Sequence, residues 1–163
     1  MKNIKVIIFD WGDTLMRDFP EFEGAMAEWQ EIEVIEGVQN LLKKLHKKYR
    51  IVVASNANDS DADLMKKAFE RGEIAKFIDK FYTSKEIGYK KPEKEFFEEI
   101  FKMEKILPKE SLFVGNIYEN DVEPALKSGA NGILFDEKKK YCNINNKIEK
   151  MEELWKKLQE NFY

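Results

Sequence analysis

The stretch VIIFDWGDTL, Val6 to Leu15, joins an apolar run to two carboxylates, Asp10 and Asp13, three residues apart around Gly12. Val6, Ile7, Ile8 and Phe9 show no alternation with polar residues, so the run reads as a short strand buried on both faces, the kind found in parallel sheets covered by helices. Asp10 ends that strand. A carboxylate at the end of a buried apolar strand is costly without a purpose, so Asp10 reads as functional, and the rest of the chain should supply the covering helices.

Working outward, short β-branched or apolar runs alternate with segments of helical period. The spacing predicts five strands, at residues 4–9, 51–54, 81–83, 111–114 and 132–135. Between them lie GVQNLLKKLHKK, ADLMKKAFERG, PEKEFFEEIFKME and NDVEPALKSG, and IEKMEELWKKLQE follows the last. Val38, Leu41, Leu42 and Leu45 recur at intervals of three and four, which is one face of a helix. Strand then helix, repeated, argues for an α/β fold with a mostly parallel sheet covered on both faces. No internal repeat, low-complexity tract or linker interrupts residues 1–163, which read as a single domain. The one long irregular segment, 16–37, carries Phe19, Phe22, Met26, Trp29 and Ile32 and reads as a short insert or lid. Core packing is the commonest fate of such side chains and is expected for at least half of them.

Composition narrows the chemistry. Hydrophobic residues make up 43 % of the 163, enough for a real core, and 28 basic residues nearly balance 31 acidic ones for a net charge of -3. That balance gives no nucleic-acid footprint. The apolar stretch near the N-terminus is too short for a signal or spanning segment, which predicts a cytoplasmic protein. Cys142 is the only cysteine and His46 the only histidine, the latter flanked by lysines in LLKKLHKKY. Disulfide frameworks, cysteine metal sites and imidazole catalysis are thereby set aside, and chemistry must run on Asp, Glu, Lys, Ser or a metal.

In open α/β sheets ligands bind beyond the carboxyl ends of the strands. The residues to read are therefore Asp10 after the first strand, Ser55 after the second, Ser84 and Lys85 after the third, and Gly115 with Asn116 after the fourth. With the lysine of KKPE and the acidic residues of VGNIYENDV, they form a set suited to nucleophilic phosphoryl chemistry. A carboxylate attacking a phosphate brings like charges to about 3 Å, at a cost on the order of 5 kcal/mol per charge pair at an effective dielectric of 20. A lysine, a hydroxyl, backbone amides and a divalent metal can cancel that repulsion.

These residues resemble the haloacid dehalogenase-like (HAD) superfamily, whose members are mostly magnesium-dependent phosphatases with an aspartyl-phosphate intermediate. FDWGDTL is similar to the family's first motif, Ala54–Asn56 to the second, GYKKPEKEFF to the third and VGNIYENDVEPALKSGANGI to the fourth with the helix and strand after it. The resemblance implies a three-layer Rossmann-like fold. It makes Asp10 the nucleophile and a metal ligand, with the Gly12 carbonyl on the metal. Ser55 and Asn56 would contact the substrate, Ser55 holding a phosphoryl oxygen, and Lys91 would neutralise nucleophile and phosphate. Asn116 sits where the family has its metal-binding aspartate, and Asp121 occupies the second acidic position. The cofactor implied is Mg²⁺.

Structural readings stand beside these. Asp10 could cap a turn, Ser55 could cap a helix, and Asp121 could favour a helix start through the dipole. Two departures from the family pattern bear on catalysis. Its phosphatases carry a second aspartate two residues after the nucleophile, a general acid and base, where this chain has Gly12; such assistance is worth roughly 10² to 10⁴ in rate. Asp13 is the nearest replacement, though it falls at the family's glycine position in a tight turn, where an aspartate can serve backbone geometry alone. Asn116 brings an amide oxygen without charge, which lowers affinity for a divalent ion and shifts weight to Asp121.

Too few residues separate Leu15 from Asn56, or Lys91 from Val114, to hold a sizeable cap. The chain resembles the capless branch, where the substrate tends to be large or a neighbouring subunit covers the site. The expectation is a phosphatase acting on a phosphorylated small molecule or macromolecule, favouring good leaving groups. A catalytically weak phospho-ligand-binding or interaction module, and a metal-free dehalogenase, are the competing readings.

Overall fold

In the computed structural model, which describes residues 3–160, the apolar run becomes β1, Val6–Phe9, near the middle of a six-stranded parallel sheet. The remaining strands are β2, Arg50–Ser55, β3, Lys80–Thr83, β4, Ser111–Gly115, β5, Asn131–Phe135, and β6, Lys147–Ile148. Their spatial order is β3-β2-β1-β4-β5-β6. The helices are α1, Val38–Leu45, α2, Ala62–Arg71, α3, Ser84–Ile87, α4, Lys94–Glu104, α5, Glu123–Lys127, and α6, Glu153–Glu160.

The lack of alternation in β1 has the cause its sequence suggested. Ile7 and Phe9 point into one core with Leu42 of α1, Phe69 of α2 and Leu154 of α6. Val6 and Ile8 point into a second core with Phe96, Phe97 and Ile100 of α4 and Ala125 of α5. Each strand residue alternates faces, but both faces are covered, so every position selects an apolar side chain. The result is a three-layer α/β sandwich with no sizeable cap domain.

Two elements depart from the pattern read in the sequence. Five strands were expected and six are present: Lys147–Ile148 extends the sheet beside β5. It is held less by apolar periodicity than by specific contacts, with Ile148 fully buried, the Lys147 ammonium 2.8 Å from Asp136 and the Asn146 side chain on the Gly132 carbonyl. The predicted helix over NDVEPALKSG starts instead with a π-helical turn, Tyr118–Val122, before α5. Pro124, without an N–H, stands in the first turn of α5, where none is needed.

Segment 16–37 contains a single short helical turn, Met26–Glu28, and is tied down through Met16, which bridges to both Gly12 and Val34. Met16 and Met26 are buried, and Trp29 and Ile32 pack against the larger core. Phe19, Phe22 and Trp29 pack against one another in tilted and edge-on geometry with ring centroids 5.5–6.3 Å apart. Among the described residues no helix is long and apolar enough to cross a membrane.

Candidate active site

The strand order reverses at β1: the chain runs outward through β2 and β3 on one side, then returns to β4 on the other. A crevice opens where the two halves diverge, beyond the carboxyl ends of β1 and β4. Asp10 lies there. Its backbone N–H donates to the Val114 carbonyl at 2.9 Å, which ties it to the end of β4.

Asp10 pairs with Lys91. Its Nζ lies 2.8 Å from Asp10 Oδ1 and 2.7 Å from Asp121 Oδ1, with the lysine 8 % and Asp121 4 % exposed. Burial would pull the lysine's pKa down, but the charges and hydrogen bonds of Asp10 and Asp121 outweigh it and hold the ammonium above its ordinary value. Burial raises the pKa of Asp121, Asp10 raises it further, and Lys91 with the Ile117 amide pulls the other way. The net direction for Asp121 is upward.

Local structure explains how these groups arrive together. Lys91 precedes α4, and its backbone is clamped by Asn56, whose Nδ2 donates to the Lys91 carbonyl and whose Oδ1 accepts the Lys91 N–H, both at 2.8 Å. Asp121 reaches inward from the π-helical turn, an irregularity that often marks functional sites, and packs against Gly115 at the end of β4. A Cβ built on Gly115 would lie 2.4 Å from the Asp121 Cβ, Cγ and Oδ2. Only glycine permits that approach.

Thr14, fully buried, closes the cluster on the other side. Its hydroxyl lies 3.2 Å from Asp10 Oδ2 and 3.3 Å from Asn116 Oδ1. A hydroxyl carries one hydrogen, so it can donate to only one of these acceptors at a time. Two acceptor oxygens thus converge with a single proton between them, a donor set suited to a cation. The fit is a modest one, since no group of three His, Cys, Asp or Glu side chains that could hold a metal ion occurs among the described residues.

The structure therefore brings together Asp10, Lys91, Asn116 and Asp121, with Asn56 behind the lysine. Asp121, expected on the metal, has both oxygens engaged, one by Lys91 and the other by the Ile117 N–H at 3.0 Å. Ser55 ends β2, and the cap of α2 is Asp61, whose side chain accepts from the Leu64 N–H, so the capping alternative for Ser55 does not apply. Ser55, Asn56, Gly12, Asp18 and Trp29 share the lining of a cavity of about 230 Å³.

Asp13 faces elsewhere. Its φ of 58° is left-handed, its Oδ1 accepts the Asp18 N–H at 3.1 Å and lies 3.6 Å from Arg17. It lines a different cavity, with Arg17, Asn116, Asp136 and Tyr141. Asp13 thus holds a left-handed backbone conformation that aspartate tolerates better than most residues.

Two residues near the site were not singled out from the sequence. Thr14 stands inside the first quoted stretch, four after Asp10, and a reading of polar residues in that turn could have found it. Asp18 belongs to segment 16–37 and carries no spacing signal. It packs beside Gly12, and burial, then the charges of Asp13, Asp10 and Glu21, raise its pKa.

Comparisons with known proteins bear on this geometry. The model of the haloacid dehalogenase-like hydrolase family matches residues 5–135. No curated protein matches the chain. Among solved structures, an uncharacterized protein from Listeria monocytogenes serotype 4b superposes with a TM-score of 0.83 at 20 % identity, covering 96 % of this chain and 97 % of the other. A 2-haloacid dehalogenase from Pseudomonas syringae pv. tomato gives 0.78 at 16 % identity, covering 96 % and 99 %. The magnesium-bound YfnB from Bacillus subtilis gives 0.68 at 20 % identity, with 78 % of this chain and 56 % of that one covered. At these identities the structures show a shared fold. The family match spans most of the chain and includes β1 to β5 with the crevice between them, and the chain belongs to the haloacid dehalogenase-like hydrolases.

Proposed function

We propose that this hydrolase is a phosphatase that cleaves a phosphate monoester through an aspartyl-phosphate on Asp10. The observation that carries this reading is the convergence of Asp10 Oδ2 and Asn116 Oδ1 on the single proton of Thr14, beside a carboxylate whose other oxygen is held by Lys91. One oxygen of Asp10 is thus anchored and the other looks toward a place suited to a cation. Mg²⁺ is the ion proposed, held by Asp10, Asn116 and the Gly12 carbonyl. When bound, it would act as a Lewis acid on the phosphoryl oxygens.

The chain's own residues do the rest. Lys91, 2.8 Å from Asp10 Oδ1, offsets the repulsion between the nucleophile's carboxylate and an incoming phosphate. Ser55 and Asn56, at the end of β2, border the cavity in which a phosphoryl group would sit. Asp121 fixes the Lys91 ammonium from the far side. With no cap over the crevice, the phosphorylated substrate is an extended molecule or macromolecule, or a second copy of the chain covers the site. The Asp10→Asn variant should abolish Mg²⁺-dependent hydrolysis of p-nitrophenyl phosphate; activity that survives this change refutes the reading.

A second reading rests on positions 12 and 116, neither of which carries a charge. An Asp10 oxygen, with Lys91 beside it, could instead bond to carbon as a carbon–halogen bond breaks and halide leaves, without metal. Halide release from a 2-haloacid in the presence of a chelator, with no phosphatase turnover, would favour it. Stoichiometric beryllofluoride capture on Asp10, with no turnover of either substrate class, would instead point to a phospho-ligand-binding module.

A further inference from the structure

The fold places a carboxylate beside Gly12 that the local sequence does not announce. A Cβ built on Gly12 lies 3.4 Å from the Asp18 Cβ, 3.8 Å from its Cγ and 4.0 Å from its Oδ2. The space next to position 12, toward which a side chain there would point, is therefore already bordered by a carboxyl group. Chain geometry produces this. The left-handed turn at Asp13 and the bridge between Gly12 and Met16 double the chain back, and the Asp13 carboxylate receives the Asp18 N–H at 3.1 Å.

Three further observations separate Asp18 from a surface bystander. Its side chain makes no hydrogen bond or ion pair among the described residues, in contrast to Asp13, which is committed to the turn and to Arg17. Asp18 lines the same cavity as Gly12, Ser55 and Asn56, and Asp13 does not. It is also exposed, so a substrate can reach it.

We propose that Asp18 supplies the proton-transferring carboxyl group that position 12 lacks, acting on the leaving-group oxygen of the substrate. This rests on the phosphatase reading above. In the first half-reaction an Asp10 oxygen bonds to phosphorus, the bond from phosphorus to the leaving oxygen breaks, and that oxygen takes the proton of the Asp18 carboxyl. The alcohol departs, leaving Asp18 ionised. In the second, a water oxygen bonds to phosphorus, one water proton passes to Asp18, and the bond from phosphorus to Asp10 breaks. Inorganic phosphate leaves, and both aspartates return to their starting states. Asp18 is thus a catalytic residue supplied by the segment after the first motif, and Gly12 leaves room for it.

The test is leaving-group dependence in Asp18→Asn, a change that keeps shape and the backbone contact to Asp13. With Mg²⁺ present, kcat for an alkyl phosphate should fall by about 10²-fold or more, because a poor leaving group needs the proton. For p-nitrophenyl phosphate, whose leaving group needs little help, it should change by less than about 5-fold. Beryllofluoride capture on Asp10, read by ¹⁹F NMR, should be unaltered, showing that fold and nucleophile are intact. Restoring an aspartate through Gly12→Asp in the Asp18→Asn background should recover alkyl phosphate turnover by about tenfold or more. If the unsubstituted chain hydrolyses alkyl phosphates and Asp18→Asn lowers both substrates equally or neither, the role of Asp18 is refuted and the phosphatase reading stands. If the unsubstituted chain hydrolyses no phosphate ester, both fall.

Discussion

Replacing Lys91 with Met tests the electrostatic centre of the site through stability, without recourse to a substrate. Methionine keeps most of the side-chain volume and removes the charge. The ammonium stands 2.8 Å from one carboxylate and 2.7 Å from the other, so at an effective dielectric of 20 each attraction is on the order of 6 kcal/mol. Desolvation of three ions offsets much of this, and the net loss on removing one partner of a buried pair is about 3–5 kcal/mol. With a urea m-value of about 2 kcal/mol per molar, the unfolding midpoint should drop by about 2 M. Tryptophan fluorescence in metal-free buffer reads the transition.

The pH dependence carries the sign. The Asp121 pKa is already raised by burial and by Asp10, and Lys91 opposes the rise. In Lys91→Met that opposition is gone, so the folded protein binds a proton more tightly than the unfolded chain does. Stability from a raised carboxylate pKa is fully present below the unfolded value of about 4 and is lost as pH rises through the folded value. The variant should therefore be more stable at pH 5 than at pH 8, and its deficit against the parent should shrink on acidification. A midpoint shift below about 0.5 M, or a deficit that does not vary with pH, would refute the view that Lys91 opposes the upward shift of the buried Asp121.

Other expectations address the cradle around that centre. Gly115→Ala should destabilise the fold by about 1–3 kcal/mol, because its Cβ would lie 2.4 Å from three atoms of Asp121; thermal denaturation measures this, and an unchanged Tm would show that Asp121 does not need the close approach. Asn116→Asp adds a carboxylate near Asp10. It should lower Tm without metal and enlarge the rise in Tm on adding Mg²⁺, and a Tm insensitive to Mg²⁺ in both proteins would count against the proposed donor set.

Much of the fold could be read directly. Val6 to Phe9 announced a strand with both faces covered because no position in it tolerates water, and the period of α1 followed from Val38, Leu41, Leu42 and Leu45. The strand at Lys147–Ile148 escaped because two residues cannot display a period, and long-range contacts to Asp136 and Gly132 hold it. The π-helical turn escaped for a related reason. It carries Asp121, whose partners are Lys91 and the Ile117 N–H, and no helical spacing encodes such a turn.

The site divides along the same line. Sequence by itself determined that a carboxylate, Asp10, ends a buried strand, that a serine and an asparagine follow the next, and that a lysine and an acidic loop come later in the chain. Those are properties of residue type and local period, which neighbours along the chain suffice to set. Tertiary structure decided which of the candidates meet. It joined Lys91 to Asp10 and Asp121 across 81 and 30 residues, turned Asp13 away into its own turn, and carried Asp18 back beside Gly12. The physical reason is that charge pairing and proton transfer act over a few ångströms of space, and only the folded backbone brings together groups that the sequence keeps apart.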